Sequence, residues 1–300
     1  YQSYFYPTQF EGENEVKYTG YVHGLFVDAF GNLREDTNGD GRLVLTDDRI
    51  VVTRYDAVLD RLVVDVYVDA NGDGKADPTR DTTVPADGVL DQAFCDDSPH
   101  QCDLTLADVT PIWEGGRRLA IMPAANRNIY TWVDLDNDGV NDAGEFVTFT
   151  SGNQSKIAGY LNLSGAPAAL TAANVMSFIQ GSQVTGLRNR TLTVKNDSNV
   201  PTPMVWKLGD AVYSTPVVVG APKERYDVLY GDVSYGTFYQ QYKGRRQVAY
   251  LGANDGMLHA FNVGYYNKGD DTSTTSKIEH GWFSNSATAD GRGIGGAHLH

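Results

Sequence analysis

Valine, isoleucine, tyrosine and phenylalanine recur in short runs along the first half of the chain, broken by clusters of Gly, Asp and Asn. The runs TGYVHGLFVDAFG (19–31), RIVVTRYD (49–56), RLVVDVYVD (61–69), RRLAIM (117–122) and RNIYTWVD (127–134) have strand length. Their β-branched and aromatic side chains suit a pleated, half-buried surface, and the polar clusters between them read as turns. One segment carries a helical period instead. TAANVMSFIQG (171–181) offers Thr171 as N-cap, Val175, Phe178 and Ile179 on one apolar face, and Gly181 as the stop. The polar run 188–204, with Pro201 and Pro203, reads as a surface loop or linker. Strands resume in VYSTPVVVG (212–220) and RYDVLYGD (225–232). A hairpin follows over 245–262, turning at Asn254-Asp255-Gly256. From Lys268 to His300 the chain is rich in Gly, Ser, Thr and Asp and reads as a poorly ordered or incomplete tail. The pattern predicts an all-β protein with one short helix. It divides into a strand region (1–165), a helix and linker insertion (166–205) and a second strand region with its tail (206–300).

Three of the polar interruptions share one spacing: DTNGDGRLVLTD (36–47), DANGDGKAD (69–77) and DLDNDGVNDAGE (134–145). Each places a carboxylate or carboxamide at loop positions 1, 3 and 5 and glycine at position 6. Alternate side chains of a tightly curled loop point at one centre, and glycine permits the sharp turn. Calcium asks for six to eight oxygen ligands in flexible geometry. In the third loop Asp134, Asp136 and Asp138 fill positions 1, 3 and 5. Val140 offers its carbonyl, Asp142 stands at position 9 and Glu145 at position 12. This meets the EF-hand loop pattern. Yet Asn141 stands where helix-paired EF-hands prefer an apolar residue, and the flanks look like strands. The expectation is an EF-like loop on a β scaffold. The first loop offers Asp36, Asn38, Asp40, the Arg42 carbonyl at position 7 and Asp47 at position 12, with Asp48 adjacent. It resembles the dockerin type of calcium loop. The second offers Asp69, Asn71, Asp73, the Lys75 carbonyl and Asp77, with Asp81 as a further candidate, since Arg80 at position 12 cannot ligate. Asn-Gly and Asp-Gly are also ordinary turn dipeptides, and one such loop alone could be a turn. Three with the same spacing point to two or three calcium ions.

Charge sharpens this reading. The 300 residues carry a formal net charge of −14. That argues against nucleic acid, whose phosphates need clustered Lys and Arg, and against an anionic membrane surface. Three calcium ions would offset about six of those charges and tie folding to calcium. Hydrophobic residues make up 41%, enough for a core, yet no apolar run is long enough to cross a bilayer. The start at Tyr1 reads as that of a mature or excised piece. The two cysteines, Cys95 and Cys102, stand in the polar stretch CDDSPHQC. A disulfide closing that small loop would imply export; two unpaired thiols, or less readily a zinc site with His100, are the alternatives. The pattern Gly291-x-Gly293-x-x-Gly296 lacks the strand and helix a dinucleotide site needs. His298 and His300 lack metal-binding partners, and His259 reads as a packed strand residue. No catalytic constellation emerges, so the expectation is a protein that is not an enzyme.

The stretch WKLGDAVYSTPVVVGAPKERYDVLYGDVSYGTFYQQYKGRRQVAYLGANDGMLHAFN (206–262) resembles the PilC/PilY family of bacterial type IV pilus proteins. VMSFIQGSQVTGLRNRTL (175–192) and IYTWVDLDNDGVNDAGEF (129–146) are similar to that family as well. The resemblance implies a modified, partial β-propeller with long insertions that carry the calcium loops. Residues 206–300 would then hold a blade core. It also implies a pilus-tip adhesin or a factor in pilus assembly and retraction, exported through the periplasm to the cell surface, pilus tip or outer membrane. Minor pilins, and a host or abiotic surface, would be partners. A von Willebrand A-like module precedes this region in the full family proteins, and no Arg-Gly-Asp adhesion motif is present here. At roughly 40–50 residues per blade this length cannot close a large ring, so further chain or a partner would cover an open strand edge. Two other readings remain. The hairpin VAYLGANDGMLHAFN also resembles a blade of quinone-dependent dehydrogenases, and calcium could serve only to stiffen a secreted module.

Overall fold

The computed structural model describes residues 1–76, 101–168, 170–267, 279–284 and 298–299, with the backbone alone from residue 265 onward. Its strands, in chain order, are β1 (Gln2–Glu11), β2 (Asn14–Gly24), β3 (Phe26–Val27), β4 (Leu33–Arg34), β5 (Arg42–Val44) and β6 (Ile50–Asp56). Next come β7 (Arg61–Tyr67), β8 (Gln101–Leu104), β9 (Trp113–Glu114), β10 (Tyr130–Trp132), β11 (Phe146–Thr148) and β12 (Thr191–Lys195). The last are β13 (Pro201–Val205), β14 (Val217–Val219), β15 (Gln247–Gly252), β16 (Leu258–Asn267), β17 (Glu279–Ser284) and β18 (His298–Leu299). The α-helices among the described residues are α1 (Gly115–Ile121), α2 (Gln154–Ile157), α3 (Ala172–Gln180), α4 (Tyr226–Tyr230) and α5 (Val233–Tyr242).

The strands form separate sheets. One runs β1-β2-β9, a second β3-β4-β6-β7-β8 and a third β14-β15-β16-β17-β5, with β18 also on β16; β10-β11 and β12-β13 are two-stranded ribbons. The protein is mostly β-sheet, as expected, and the described sheets do not close into a barrel. Strand β5 joins the third sheet far from its sequence neighbours: Val44 lies opposite Glu279 and Arg42 opposite Trp282.

The main core lies where β2, α1 and the β15–β16 hairpin meet. Val22, Trp113, Leu119, Leu208, Leu251, Phe261 and Val263 are all buried there. Two glycines permit that approach. A Cβ on Gly115 would overlap Val22 and the Phe261 ring, and one on Gly116 would overlap Trp206. A second core packs Ile129, Val133, Val147, Phe149, Ile157 and Met176 beneath the β10–β11 ribbon.

Several local expectations hold. Asn254-Asp255-Gly256 turns the β15–β16 hairpin, with Gly256 at φ +83. Thr171 caps α3 by accepting the Asn174 N–H at 3.2 Å, and the Gly181 N–H returns to the Ser177 carbonyl. His259 is fully buried in β16. Others need correction. The deepest side chain of α3 is Met176, with Val175, Phe178 and Ile179 only partly covered. Residues 117–121 belong to helix α1, with Met122 as its C-cap, because the Glu114 carboxylate accepts the N–H groups of Gly116 and Arg117 and starts a helix. Six residues are too few for the apolar period to separate strand from helix. Residues 226–230 are likewise helical, ending at Gly231 with φ +69. The run 188–204 contains the β12–β13 hairpin, with Leu192 and Val194 buried. Pro201 and Pro203 stand two apart on an edge strand, where a missing N–H costs no ladder bond. Strand β1 lies ahead of the first predicted strand.

Candidate metal centre

The third Asp-rich loop joins β10 to β11, so its flanks are strands, as the sequence suggests. One carboxylate oxygen from each of Asp134, Asp136 and Asp138 lies within 4.8 Å of the other two. Backbone donors hold this shape. Asp134 Oδ1 accepts the Asp138 N–H at 3.2 Å and Oδ2 the Gly139 N–H at 3.0 Å. Asp138 Oδ1 accepts the Val140 N–H at 2.7 Å. Asn137 and Gly139 take left-handed φ of 61° and 76°, which curl the loop. Val140 and Asp142 lie exposed on the rim. Glu145 is buried at the base. Its carboxylate accepts the Leu135 N–H at 2.7 Å, the Asp142 N–H at 2.9 Å and the Trp132 indole N–H at 3.2 Å. The backbone bonds from Asp142 and Leu135, helped by the indole, hold it below the usual carboxylate range.

The first loop curls in the same way. Asp36 Oδ2 accepts the Gly41 N–H at 3.0 Å, Asn38 Oδ1 the Asp40 N–H at 3.0 Å and Asp40 Oδ1 the Arg42 N–H at 2.8 Å. Asp36 is buried, and its Oδ1 has no hydrogen-bond partner. The structure turns Asp48 into this loop. The Asp48 carboxylate is buried and accepts the N–H groups of Thr37 at 3.1 Å and Val44 at 2.7 Å. Asp47 is only half-buried and its Oδ1 meets the neighbouring Thr46 hydroxyl. Burial pushes the Asp36 carboxyl up to about 6, with the Asp40 charge adding to it. Burial pushes Asp48 up to about 7, with Asp36 and Asp40 adding to it.

In the second loop Asp69 is buried, and it accepts the Asp73 N–H and the Gly74 N–H, each at 3.0 Å. Asn71 Oδ1 accepts the Asp73 N–H at 2.9 Å, and Asp73 Oδ1 the Lys75 N–H at 2.9 Å. Asp77 and Asp81 lie outside the described residues, and so does Cys95. Cys102 sits on β8, and no cysteine among the described residues is free. The Gly291–Gly296 pattern and His300 also lie outside the described residues.

Sequence reasoning missed Arg34. Its guanidinium is fully buried and serves four acceptors. Nε reaches Asp28 Oδ2 at 2.7 Å and Nη2 reaches Asp69 Oδ2 at 2.5 Å. Nη1 reaches the carbonyls of Leu45 at 2.7 Å and Asp48 at 2.8 Å. One cation therefore ties the end of the first loop to the start of the second. Nothing in the local pattern announces this, because the Arg34 partners lie at 28, 45, 48 and 69.

Residues 36–39 also form one wall of a cleft of about 1050 Å³, shared with Tyr4, Tyr21, His23, Glu114 and Trp206. His23 and Glu114 are cross-strand partners at its floor. Burial pushes His23 down to about 4 and Glu114 up to about 7. Their effects on stability oppose each other. Between pH 6.5 and 4 the unfolded chain holds the His23 proton more readily, so acid destabilises the fold through His23. Between pH 7 and 4.5 the folded chain holds the Glu114 proton more readily, so acid stabilises it through Glu114. Removing one should unmask the other. Urea unfolding of Glu114→Gln at pH 6.5 and 4.5 should show a steeper acid loss than wild type, and His23→Gln a shallower one. Equal pH slopes in all three proteins would contradict the assignment.

Known proteins resemble part of this chain. No protein-family model matches the sequence, and no solved structure matches it significantly. The chain is 33% identical over 162 residues to the type IV pilus biogenesis factor PilY1 of Pseudomonas aeruginosa (strain UCBPP-PA14), a match covering 51% of this chain. It is 47% identical over 62 residues, 19% of its length, to the type IV pilus biogenesis factor PilY1 homolog of Xylella fastidiosa (strain Temecula1 / ATCC 700964). These matches span 12% and 5% of the relatives' own lengths. No helix among the described residues is long and apolar enough to cross a membrane. Over about half its length, then, the chain is PilY1-like.

Proposed function

We propose that this chain is a calcium-binding part of a type IV pilus biogenesis factor and that loop 134–145 is its principal calcium site. The observation that carries the reading is the convergence of the Asp134, Asp136 and Asp138 carboxylates on one point. Their number and chemistry suit calcium better than magnesium, which keeps more waters and fewer carboxylates. The Val140 carbonyl, Asp142 through a water, and Glu145 would complete a shell of six or seven oxygens. The loop's backbone bonds already fix the curl, so binding has little ordering to offset.

The similarity to PilY1 supports a role in pilus biogenesis. Within that role we assign the chain a non-enzymatic task at the cell surface. It would act as a tip adhesin or a regulator of pilus assembly and retraction, in contact with minor pilins and with a host or abiotic surface. The β15–β16 hairpin would be part of a propeller blade, and calcium would set the rigidity of the loops around it.

Calcium titration of the full chain by calorimetry tests the reading. Wild type should bind saturably, and Asp134→Asn should lose one equivalent. At a hundredfold excess of calcium over Kd, the gain in stability should be about 2.7 kcal/mol per site. Terbium in place of calcium should luminesce on excitation of Trp132, whose indole touches Glu145. No heat of binding and no terbium signal would remove the proposal.

A further inference from the structure

We propose a binding site for a single carboxylate group beside the start of β12 and the end of β13, with Arg188 and Arg190 as its donors and Lys207 as a supporting charge. The calcium reading has no part in it.

The first support is a gathering of like charge. The chain as a whole is acidic, at −14, yet four of its cations meet here. Arg188 and Arg127 both act on Arg190 through their charges, and Arg127 and Arg190 both act on Lys207. Burial, and then these like charges, push Arg190 down to about 10 and Lys207 down to about 8. Asp255 is the carboxylate that faces them, and its oxygens are taken. Oδ2 accepts the Gly209 N–H at 3.0 Å and meets His259 Nε2 at 2.9 Å, while Oδ1 accepts the Met257 N–H at 3.1 Å. Partly buried positive charge in such excess favours an anion.

The second support is the donors left over. Lys207 Nζ has three, and they go to the carbonyls of Leu119 at 3.1 Å, Ala120 at 2.9 Å and Val205 at 3.3 Å. Arg127 holds the Ile179 carbonyl at 2.7 Å. These two cations close the carboxyl ends of α1 and α3. Arg190 differs. It lies 3.6 Å over the Phe178 ring and gives Nη2 to the Phe178 carbonyl at 2.5 Å, but its Nε is buried with no acceptor. Arg188 is exposed and holds no hydrogen bond or ion pair among the described residues.

The third support is space. Arg188, Arg190, Lys207, Trp206 and Asp255 line a pocket of about 30 Å³, with Lys17 at its edge tied to Glu15 at 3.1 Å. One water needs roughly 10–15 Å³, so the pocket takes about two such atoms and no sugar or nucleotide. A carboxylate has two oxygens in one plane, the shape that a guanidinium fork matches. The group would belong to a small free acid or to an acidic side chain of a protein partner.

The test is urea unfolding of the full chain at pH 7 in sodium acetate and in sodium chloride of equal ionic strength. Acetate should raise the midpoint above that in chloride, saturably and at constant m. Arg188 is exposed and unpaired, so Arg188→Gln should fold as wild type does. It should need at least ten times more acetate for the same shift, the loss expected for a charge-assisted hydrogen bond. Lys243→Gln removes one charge from α5 and should keep the full response. The peptides acetyl-Gly-Glu-Gly-amide and acetyl-Gly-Gln-Gly-amide separate the sources. A shift with the Glu peptide at lower concentration than acetate assigns the carboxylate to an acidic partner, and a shift with acetate alone assigns it to a free acid. Equal midpoints in acetate and chloride overturn the proposal. So does an unchanged response in Arg188→Gln, its loss in Lys243→Gln, or an equal shift with the Gln peptide.

Discussion

Arg34→Met should lower the stability of the chain by about 3–5 kcal/mol, read as a fall in the urea midpoint at constant m. Methionine fills much of the volume but supplies no donor. Asp28 and Asp69 would remain buried as uncompensated carboxylates, and the carbonyls of Leu45 and Asp48 would lose their partner. A buried pair broken on one side costs far more than the intact pair contributes. Arg34→Lys should rescue only part of the loss, because a single ammonium cannot reach four acceptors with the geometry of a planar fork. Both variants should also loosen the first and second Asp-rich loops, since Arg34 anchors the end of one and the start of the next. A midpoint shift worth less than about 1 kcal/mol would mean that the cluster is not the junction described here.

Phe261→Ala should be comparably damaging, at about 3–5 kcal/mol. Phe261 is fully buried, and its ring stacks on Trp113 at 5.7 Å between centroids. It belongs to the cluster where β2, α1 and the β15–β16 hairpin meet. Gly115 leaves the space into which the ring projects. Truncation would open a cavity beside the Trp113 indole and the Gly115 backbone, neither of which can move far enough to fill it. The more conservative Phe261→Leu should recover about half of the loss. Thermal unfolding followed by far-ultraviolet circular dichroism would measure both, and a Phe261→Ala protein melting with wild type would refute the role given to this core.

The parts of the structure that were legible in the sequence are those whose causes are local. The curl of each Asp-rich loop follows from alternating side chains and one glycine within six residues. The helix cap at Thr171 and the turn at Gly256 need only three or four residues each. Other features have distant causes. Arg34 looks like any charged residue between Leu33 and Glu35, and its burial is explained by Asp28, Leu45, Asp48 and Asp69, the last of them 35 positions on. Spacing cannot distinguish Asp47 from Asp48, because the choice depends on where β5 leaves the loop. Helix α1 was hidden because its cap, Glu114, is itself a strand residue in β9. The prolines of β13 suggested a linker, since a sequence does not say which edge of a ribbon faces solvent.

The pairing of β5 with β17 has a consequence in time. Strand β5 lies inside loop 36–48, and its neighbour across the sheet comes from residues 279–284. Closing so long a stretch of chain is slow, because the entropy of closure must be met before the contact returns anything. Loop 134–145, held between two adjacent short strands, has no such wait. During refolding the ribbon loop should therefore mature early and loop 36–48 late. In refolding followed by pulsed hydrogen exchange, this would appear as two phases of amide protection, the slower one following the arrival of the distant strand.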